Sequence, residues 1–173
     1  VTAYYGVETK AVLTGFKYIG GEILKLEQNH EEHKFVFGFE ESYGYLKGTY
    51  ARDKDAIVAS MLICELAASM KKQGKSLLDA LEEVYEKYGY YLAHVQSIEL
   101  TGADAMEKAA AMMANLRADV PAAVGGVDVT VVKDYQTGMA TELRTGEQKP
   151  IGLPASNVVE LILGDRGSII VRP

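Results

Sequence analysis

Two adjacent carboxylates and a hydroxyl follow a short apolar run in the first third of the chain. The run 35–37 leads into the segment Gly38–Gly44, whose sequence is GFEESYG. Within it, Glu40 and Ser42 flank a second carboxylate, Glu41. Carboxylates accept hydrogen bonds and a serine hydroxyl donates them, so the segment can bind a polyol at the edge of an α/β sheet. The alternative is an ordinary polar loop between a strand and a helix, with Ser42 as the helix N-cap.

Two further segments carry polar groups that suit a phosphorylated ligand. The segment 52–55, with the sequence RDKD, contains Lys54, and a lysine near a phosphate neutralises its charge or acts as an acid. The alternative for Lys54 is a surface lysine at the start of a helix. The segment 13–17, with the sequence LTGFK, contains Thr14, which fits either a ligand contact or simple turn chemistry.

The three segments follow one another within residues 13–55, and together they resemble motifs of the α-D-phosphohexomutases. This family comprises the phosphoglucomutases and phosphomannomutases, whose third domain carries a Gly-Glu-x-Ser-type loop. The resemblance implies that Glu40 and Ser42 hold sugar hydroxyls, that Thr14 contacts the substrate and that Lys54 reaches the active site.

The resemblance leaves two questions open at the basic segment. The spacing between the glutamate and the lysine is one residue longer than in the animal-type enzymes, so Arg52 is an alternative to Lys54. It is also open whether Lys54 acts as an acid–base group or only contacts phosphate. Phe16 lies where some hexomutases have a histidine, and the acid–base role of that histidine is therefore not carried over.

The end of the chain resembles the approach to the phosphate-binding loop of the family's fourth domain. That loop begins with Arg-Pro, which matches Arg172 and Pro173. The serine nucleophile lies in the family's first domain and the aspartate-rich magnesium loop in its second, and neither motif occurs in this sequence. The resemblance therefore implies a fragment whose missing domains I and II complete the enzyme, and we expect the fragment alone to be inactive.

For the intact protein, the resemblance implies a phosphohexomutase that interconverts hexose 1-phosphate and hexose 6-phosphate through a bisphosphorylated sugar. It implies Mg²⁺ and glucose 1,6-bisphosphate as cofactors of that protein, with none bound to this fragment. The competing hypothesis is a non-catalytic ligand-binding or interaction module of similar architecture. A Ser-His-Asn-Pro-type loop upstream would favour the enzyme.

The pattern of elements predicts an α/β protein. We expect a partial, mixed-sheet three-layer α/β/α domain over residues 1–99 and a smaller, truncated α+β domain over 100–173, corresponding to domains III and IV of the family. The chain starts at Val1 without a methionine and stops directly after a predicted strand, which also suggests a fragment.

Periodicity and capping signals predict the individual elements. The predicted helices are 17–27, a largely buried one from Asp53 or Asp55 to Met70, one opening at Ser76, and 103–117 with a capping box of Thr101 and Asp104. The predicted strands are 11–13, 34–39, 90–98, 127–133 and a final hairpin of 158–163 with 168–172. Residues 134–157 are predicted to be mostly loop.

Composition excludes several classes of protein. Hydrophobic residues make up 48% of the 173-residue chain, which is typical of a globular protein, and no apolar run approaches the roughly 18 residues of a membrane span. The formal net charge of −6 argues against a nucleic-acid-binding protein.

The single cysteine, Cys64, is expected in the core and excludes an intrachain disulfide, which favours the cytoplasm. His30 and His33 lie in a charged turn with no third ligand nearby, so a solvated turn is favoured over a metal pair.

Overall fold

The computed structural model describes residues 1–173, which form two compact units, Val1–Val95 and Gln96–Pro173. The first unit contains 3₁₀ turns at Thr2–Tyr5 and Glu32–Lys34, the helices α1 (Phe16–Gln28), α2 (Ala56–Lys72) and α3 (Leu77–Tyr88), and the strands β1 (Gly38–Phe39) and β2 (Tyr45–Leu46). The second unit contains α4 (Ala105–Ala118), β3 (Ala123–Val124), β4 (Val127–Asp128), β5 (Val131–Asp134), β6 (Met139–Glu142), β7 (Gln148–Pro150), β8 (Val159–Ile162) and β9 (Ser168–Val171). The predicted α/β class is confirmed.

Helix α1 forms because its apolar residues recur at helical spacing on one side. Phe16, Ile19 and Ile23 are buried on that side and form a core cluster with Leu46 of β2. The hairpin of β1 and β2 therefore packs on α1. The predicted helix 17–27 is confirmed to within one residue at each end.

Side-chain caps fix the starts of the other two helices of the first unit. The Asp55 carboxylate accepts hydrogen bonds from the backbone N–H groups of Ile57 and Val58 at the start of α2. At the start of α3, Ser76 and Asp79 form a reciprocal capping box. Both predicted helix starts are confirmed, because a cap depends on residues that are close in sequence.

The predicted burial of α2 is wrong. Of its residues only Met70 is buried, while Ile57 is 76% exposed, and Cys64 is exposed rather than in the core. A shallow apolar depression on this exposed face is lined by Ala56, Ile57, Ser60, Met61 and Cys64. A helix that is apolar on several sides buries them only where other elements pack, and here α2 contacts β2 and α3.

In the first unit and the residues directly after it, three predicted strands are absent or shortened. Residues 11–13 and 90–98 form no strand, and only Gly38–Phe39 of the predicted strand 34–39 is paired. A strand depends on hydrogen bonds to a neighbouring strand, and in this unit only β2 supplies them. Apolar alternation alone does not create that partner.

The second unit is built on a five-stranded antiparallel sheet in the order β7-β6-β5-β8-β9. Met113 of α4 packs on one face of the sheet with Val132 of the central strand β5 and with Val159 and Leu161 of its neighbour β8. An ion pair between Arg117 Nε and Asp134 Oδ1, 3.1 Å apart, joins the C-terminal part of α4 to β5. The predicted hairpin of 158–163 and 168–172 is confirmed as β8 and β9.

Residues 134–157 are mostly loop, as predicted, but they also contain the strands β6 and β7, which were not predicted. Each follows a tight turn that ends in a glycine with positive φ, Gly138 or Gly146, whose N–H bonds back to Asp134 or Glu142. The sequence signal was a Thr-Gly pair in each turn.

The predicted capping box of Thr101 and Asp104 is wrong, since Asp104 precedes α4 and makes no side-chain capping bond. No helix of the chain has both the length and the apolar character to span a membrane.

Candidate functional site

Glu40 is bound to the start of α1. The backbone N–H of Gly15, the residue that precedes the first turn of this helix, donates to Glu40 Oε1 over 2.6 Å. In a capping box the side chain of the third helical residue accepts this N–H, but here that residue is Tyr18, and a carboxylate from 25 residues later accepts it instead. A helix N-terminus carries partial positive charge, which further favours a carboxylate at this position. The bond brings the segment 13–17 and the segment Gly38–Gly44 together.

The loop that carries Glu40 and Ser42 connects two strands of a hairpin. Phe39 of β1 pairs with Tyr45 of β2, and the backbone N–H of Glu40 donates to the carbonyl of Gly44 over 2.9 Å. The alternative of Ser42 as a helix N-cap is therefore wrong, since a strand follows the loop. Tyr43 has a φ of 63°, a conformation that a bulky residue adopts only when its surroundings impose it.

Gly38 and Gly44, at the two ends of this segment, allow the hairpin to approach α1 closely. A Cβ on Gly38 would lie 2.7 Å from Ile19 Cγ2. A Cβ on Gly44 would lie 2.6 Å from Phe16 Cε2 and 3.2 Å from Lys54 Cδ. Any larger residue at either position would push the loop away from the helix.

Lys54 lies against the same aromatic ring. Its Nζ is 5.5 Å from the centroid of the Phe16 ring and 3.1 Å from Asp53 Oδ1. Arg52 has a different environment, because its guanidinium pairs with Glu27 and also donates to the carbonyl of Thr49. Of the two basic candidates, Lys54 is the one that contacts the start of α1 and the loop.

The remaining candidate residues of the first unit are open to solvent. Thr14 and Ser42 are exposed, and neither hydroxyl makes a hydrogen bond to another protein group. Glu41, between the two candidate residues of the loop, is also exposed, while Glu40 is half-buried. The structure thus brings Glu40, Lys54 and the 14–15 turn together around Phe16. It leaves the Thr14 and Ser42 hydroxyls available to a ligand.

Arg172 belongs to the second unit, directly after β9, and is exposed. The same unit contains a polar cluster that sequence reasoning missed. Glu160 of β8 is only 9% exposed and accepts hydrogen bonds from Lys133 Nζ at 3.1 Å and from the Tyr135 hydroxyl at 2.8 Å. Lys133 and Glu160 are direct cross-strand partners, so only the strand register reveals the cluster.

The pKa values of this cluster follow from burial and hydrogen bonding. Burial and the bond to Glu160 raise the pKa of Tyr135 to about 12. Burial also opposes ionisation of Glu160, but the bonds from Tyr135 and Lys133 outweigh it, so the pKa of Glu160 lies below its usual value. The cluster is therefore an ionised carboxylate with two donors, as expected for a buried charge.

The residues of this chain do not form a metal site. No group of three or more His, Cys, Asp or Glu side chains is placed to hold a metal ion.

Residues 1–88 match the family model described as phosphoglucomutase/phosphomannomutase, alpha/beta/alpha domain III. The chain is 37% identical over 170 residues to a phosphoglucomutase of Staphylococcus epidermidis, covering 98% of this chain and 30% of that protein. It is 38% identical, with the same coverage, to a phosphoglucomutase of Staphylococcus aureus. The chain thus spans about 30% of the length of the curated relatives that it matches. No solved structure matches the chain.

Proposed function

The chain belongs to the phosphoglucomutase/phosphomannomutase family, and we propose that its first unit binds the sugar of a hexose phosphate within a longer enzyme. That enzyme interconverts hexose 1-phosphate and hexose 6-phosphate through a bisphosphorylated sugar. The observation that carries the proposal is the 2.6 Å bond from Gly15 N–H to Glu40 Oε1, which joins two of the three family-like segments at one place.

Glu40 and Ser42 bind the sugar hydroxyls. An ionised carboxylate has about four acceptor positions on two oxygens, and Gly15 occupies one of them. The remaining positions accept hydroxyl hydrogens in an orientation that the Gly15 bond fixes in advance. Charge-assisted bonds of this kind contribute about 1.5–3 kcal/mol each. The Ser42 hydroxyl both donates and accepts hydrogen bonds. Glu40 and Ser42 together can therefore bind neighbouring hydroxyls of the sugar in each of its two flipped orientations.

Lys54 and Thr14 supply the other proposed contacts of the first unit, and Arg172 supplies a proposed contact of the second. The Lys54 ammonium neutralises phosphate charge near the loop. Because the side chain is exposed, the ammonium can leave its ion pair with Asp53 and bind the phosphate instead. The Thr14 hydroxyl contacts the substrate at the turn before α1. Arg172, in the second unit, binds a phosphate through the two parallel N–H groups of its guanidinium.

Other groups of the intact enzyme lie beyond this chain in the proposal. We assign Mg²⁺, and the residue that carries the phosphoryl group, to domains I and II of the same protein. Glucose 1,6-bisphosphate is the activating cofactor of that intact enzyme. We place the enzyme in the cytoplasm, where the sugar phosphates that it uses are found.

A ligand titration of the 173-residue chain tests the binding part. Glucose 6-phosphate should shift the amide NMR resonances of Gly15, Glu40 to Gly44 and Lys54, and inorganic phosphate should shift them less. Equal shifts from both ligands, or none at the loop, would argue that the loop does not bind the sugar.

Turnover by the longer protein tests the enzymatic part. Lys54→Met should lower kcat/KM for several hexose phosphates by about tenfold or more, whereas the matched Arg52→Met should cause a smaller loss, because Arg52 pairs with Glu27. A larger effect of Arg52→Met would show that the register is wrong. Sugar-phosphate binding by the longer protein without turnover would favour the non-catalytic module instead.

A further inference from the structure

Phe16, in the segment 13–17, lies against residues of the other two family-like segments, 38–44 and 52–55. It is the first residue of α1, directly after Gly15, and only 4% of it is exposed. One edge of its ring faces Gly44, where even a methyl group would lie within 2.6 Å of Cε2. The Lys54 ammonium lies 5.5 Å from the ring centroid.

Burial in the core does not account for all of these contacts. Ile19 and Ile23 are buried in the same core cluster as aliphatic side chains, so burial there does not in itself require an aromatic ring. Lys54 is 58% exposed, and its ammonium also pairs with Asp53, whose side chain is 72% exposed. An exposed ion pair of this kind restrains a long, flexible side chain only weakly. The ring face attracts a cation, and the loop at Gly44 keeps the ring in place.

We propose that Phe16 is a positioning residue, whose ring holds the Lys54 ammonium beside the loop that carries Glu40. This inference rests on the proposed sugar-phosphate site. A phenyl ring cannot transfer a proton, so Phe16 acts only through Lys54. It restricts Lys54 before the ligand arrives, which lowers the entropy that binding would otherwise cost.

The first test uses the 173-residue chain. The aromatic ring should move the NMR resonances of the Lys54 side-chain methylenes upfield, and Phe16→Leu should return them to ordinary lysine positions. Ile23→Val serves as the control, because it removes a methyl group from the same core cluster without touching the ring. Lys54 resonances that are unchanged by Phe16→Leu would overturn the proposal.

The second test is a double-mutant cycle in the longer protein, with kcat/KM measured on glucose 1-phosphate. Phe16→Leu should lower kcat/KM by about threefold more than Ile23→Val does, as expected for an exposed cation–ring interaction. In a Lys54→Met background it should add no loss beyond that of Ile23→Val, because the residue through which it acts is gone.

The outcomes separate the positioning role from the proposed function. Equal losses from Phe16→Leu in both backgrounds, with a large effect of Lys54→Met, would overturn the positioning role and leave the sugar-phosphate site standing. No effect of either Lys54→Met or Glu40→Gln would overturn the proposed function and the positioning role with it.

Discussion

The hydrogen bond from Gly15 to Glu40 makes a prediction that combines stability with activity. Glu40→Gln keeps an acceptor for the Gly15 N–H but removes the negative charge at the start of α1. Losing the charge at a helix N-terminus costs about 0.3–1 kcal/mol, and replacing a charge-assisted bond by a neutral one costs a similar amount. We therefore expect about 1 kcal/mol of destabilisation, or a fall in Tm of about 4–8 °C for a unit of this size.

Glu40→Ala should have a larger effect on stability. It removes the acceptor altogether and leaves a half-buried N–H without its partner, which costs about 1–3 kcal/mol. Thermal unfolding of the chain measures the global effect for both variants. Hydrogen exchange of the Gly15 amide measures the local effect, and its protection should fall in the order wild type, Glu40→Gln, Glu40→Ala.

In the longer protein, Glu40→Gln should lower kcat/KM about ten- to a hundredfold, because sugar hydroxyls lose a charged acceptor. Glu41→Gln is the matched control, since it leaves the Gly15 bond intact, and it should change both Tm and kcat/KM much less. A more damaging Glu41→Gln would place the sugar contact one residue later. Unchanged Gly15 exchange in Glu40→Ala would refute the structural argument itself.

Two further predictions concern packing and pH. Gly44→Ala should destabilise the first unit by about 1–3 kcal/mol, because its methyl group would lie 2.6 Å from Phe16 Cε2. Gly21→Ala, in open space on α1, should instead stabilise the unit by up to about 1 kcal/mol. Urea unfolding compares the two variants, and equal effects on the free energy of unfolding would contradict the close packing at Gly44. In the second unit, the pKa of Glu160 in the folded state lies below its ordinary value of 4.5. The ionised carboxylate therefore stabilises the fold above about pH 4.5, and this stabilisation is lost as the pH falls through the folded-state pKa. Glu160→Gln should therefore lower Tm at neutral pH, and its difference from wild type should shrink on acidification; parallel Tm curves would contradict this linkage.

Local signals were sufficient wherever the structure depends on nearby residues. The caps at Asp55 and Ser76 and the final hairpin were predicted because each involves residues a few positions apart. The polar segment at Glu40 also stands out in the sequence, because two adjacent carboxylates and a hydroxyl lie between glycines directly after an apolar run.

Features that join distant residues were decided only by tertiary structure. The bond from Gly15 to Glu40 spans 25 residues, and the contact of Gly44 with Phe16 depends on how closely a hairpin approaches a helix. The predicted strand 90–98 failed because no other strand pairs with it. Propensity describes what a segment can form alone, whereas pairing, close packing and cross-strand partners such as Lys133 and Glu160 depend on which other segments are present and in what register.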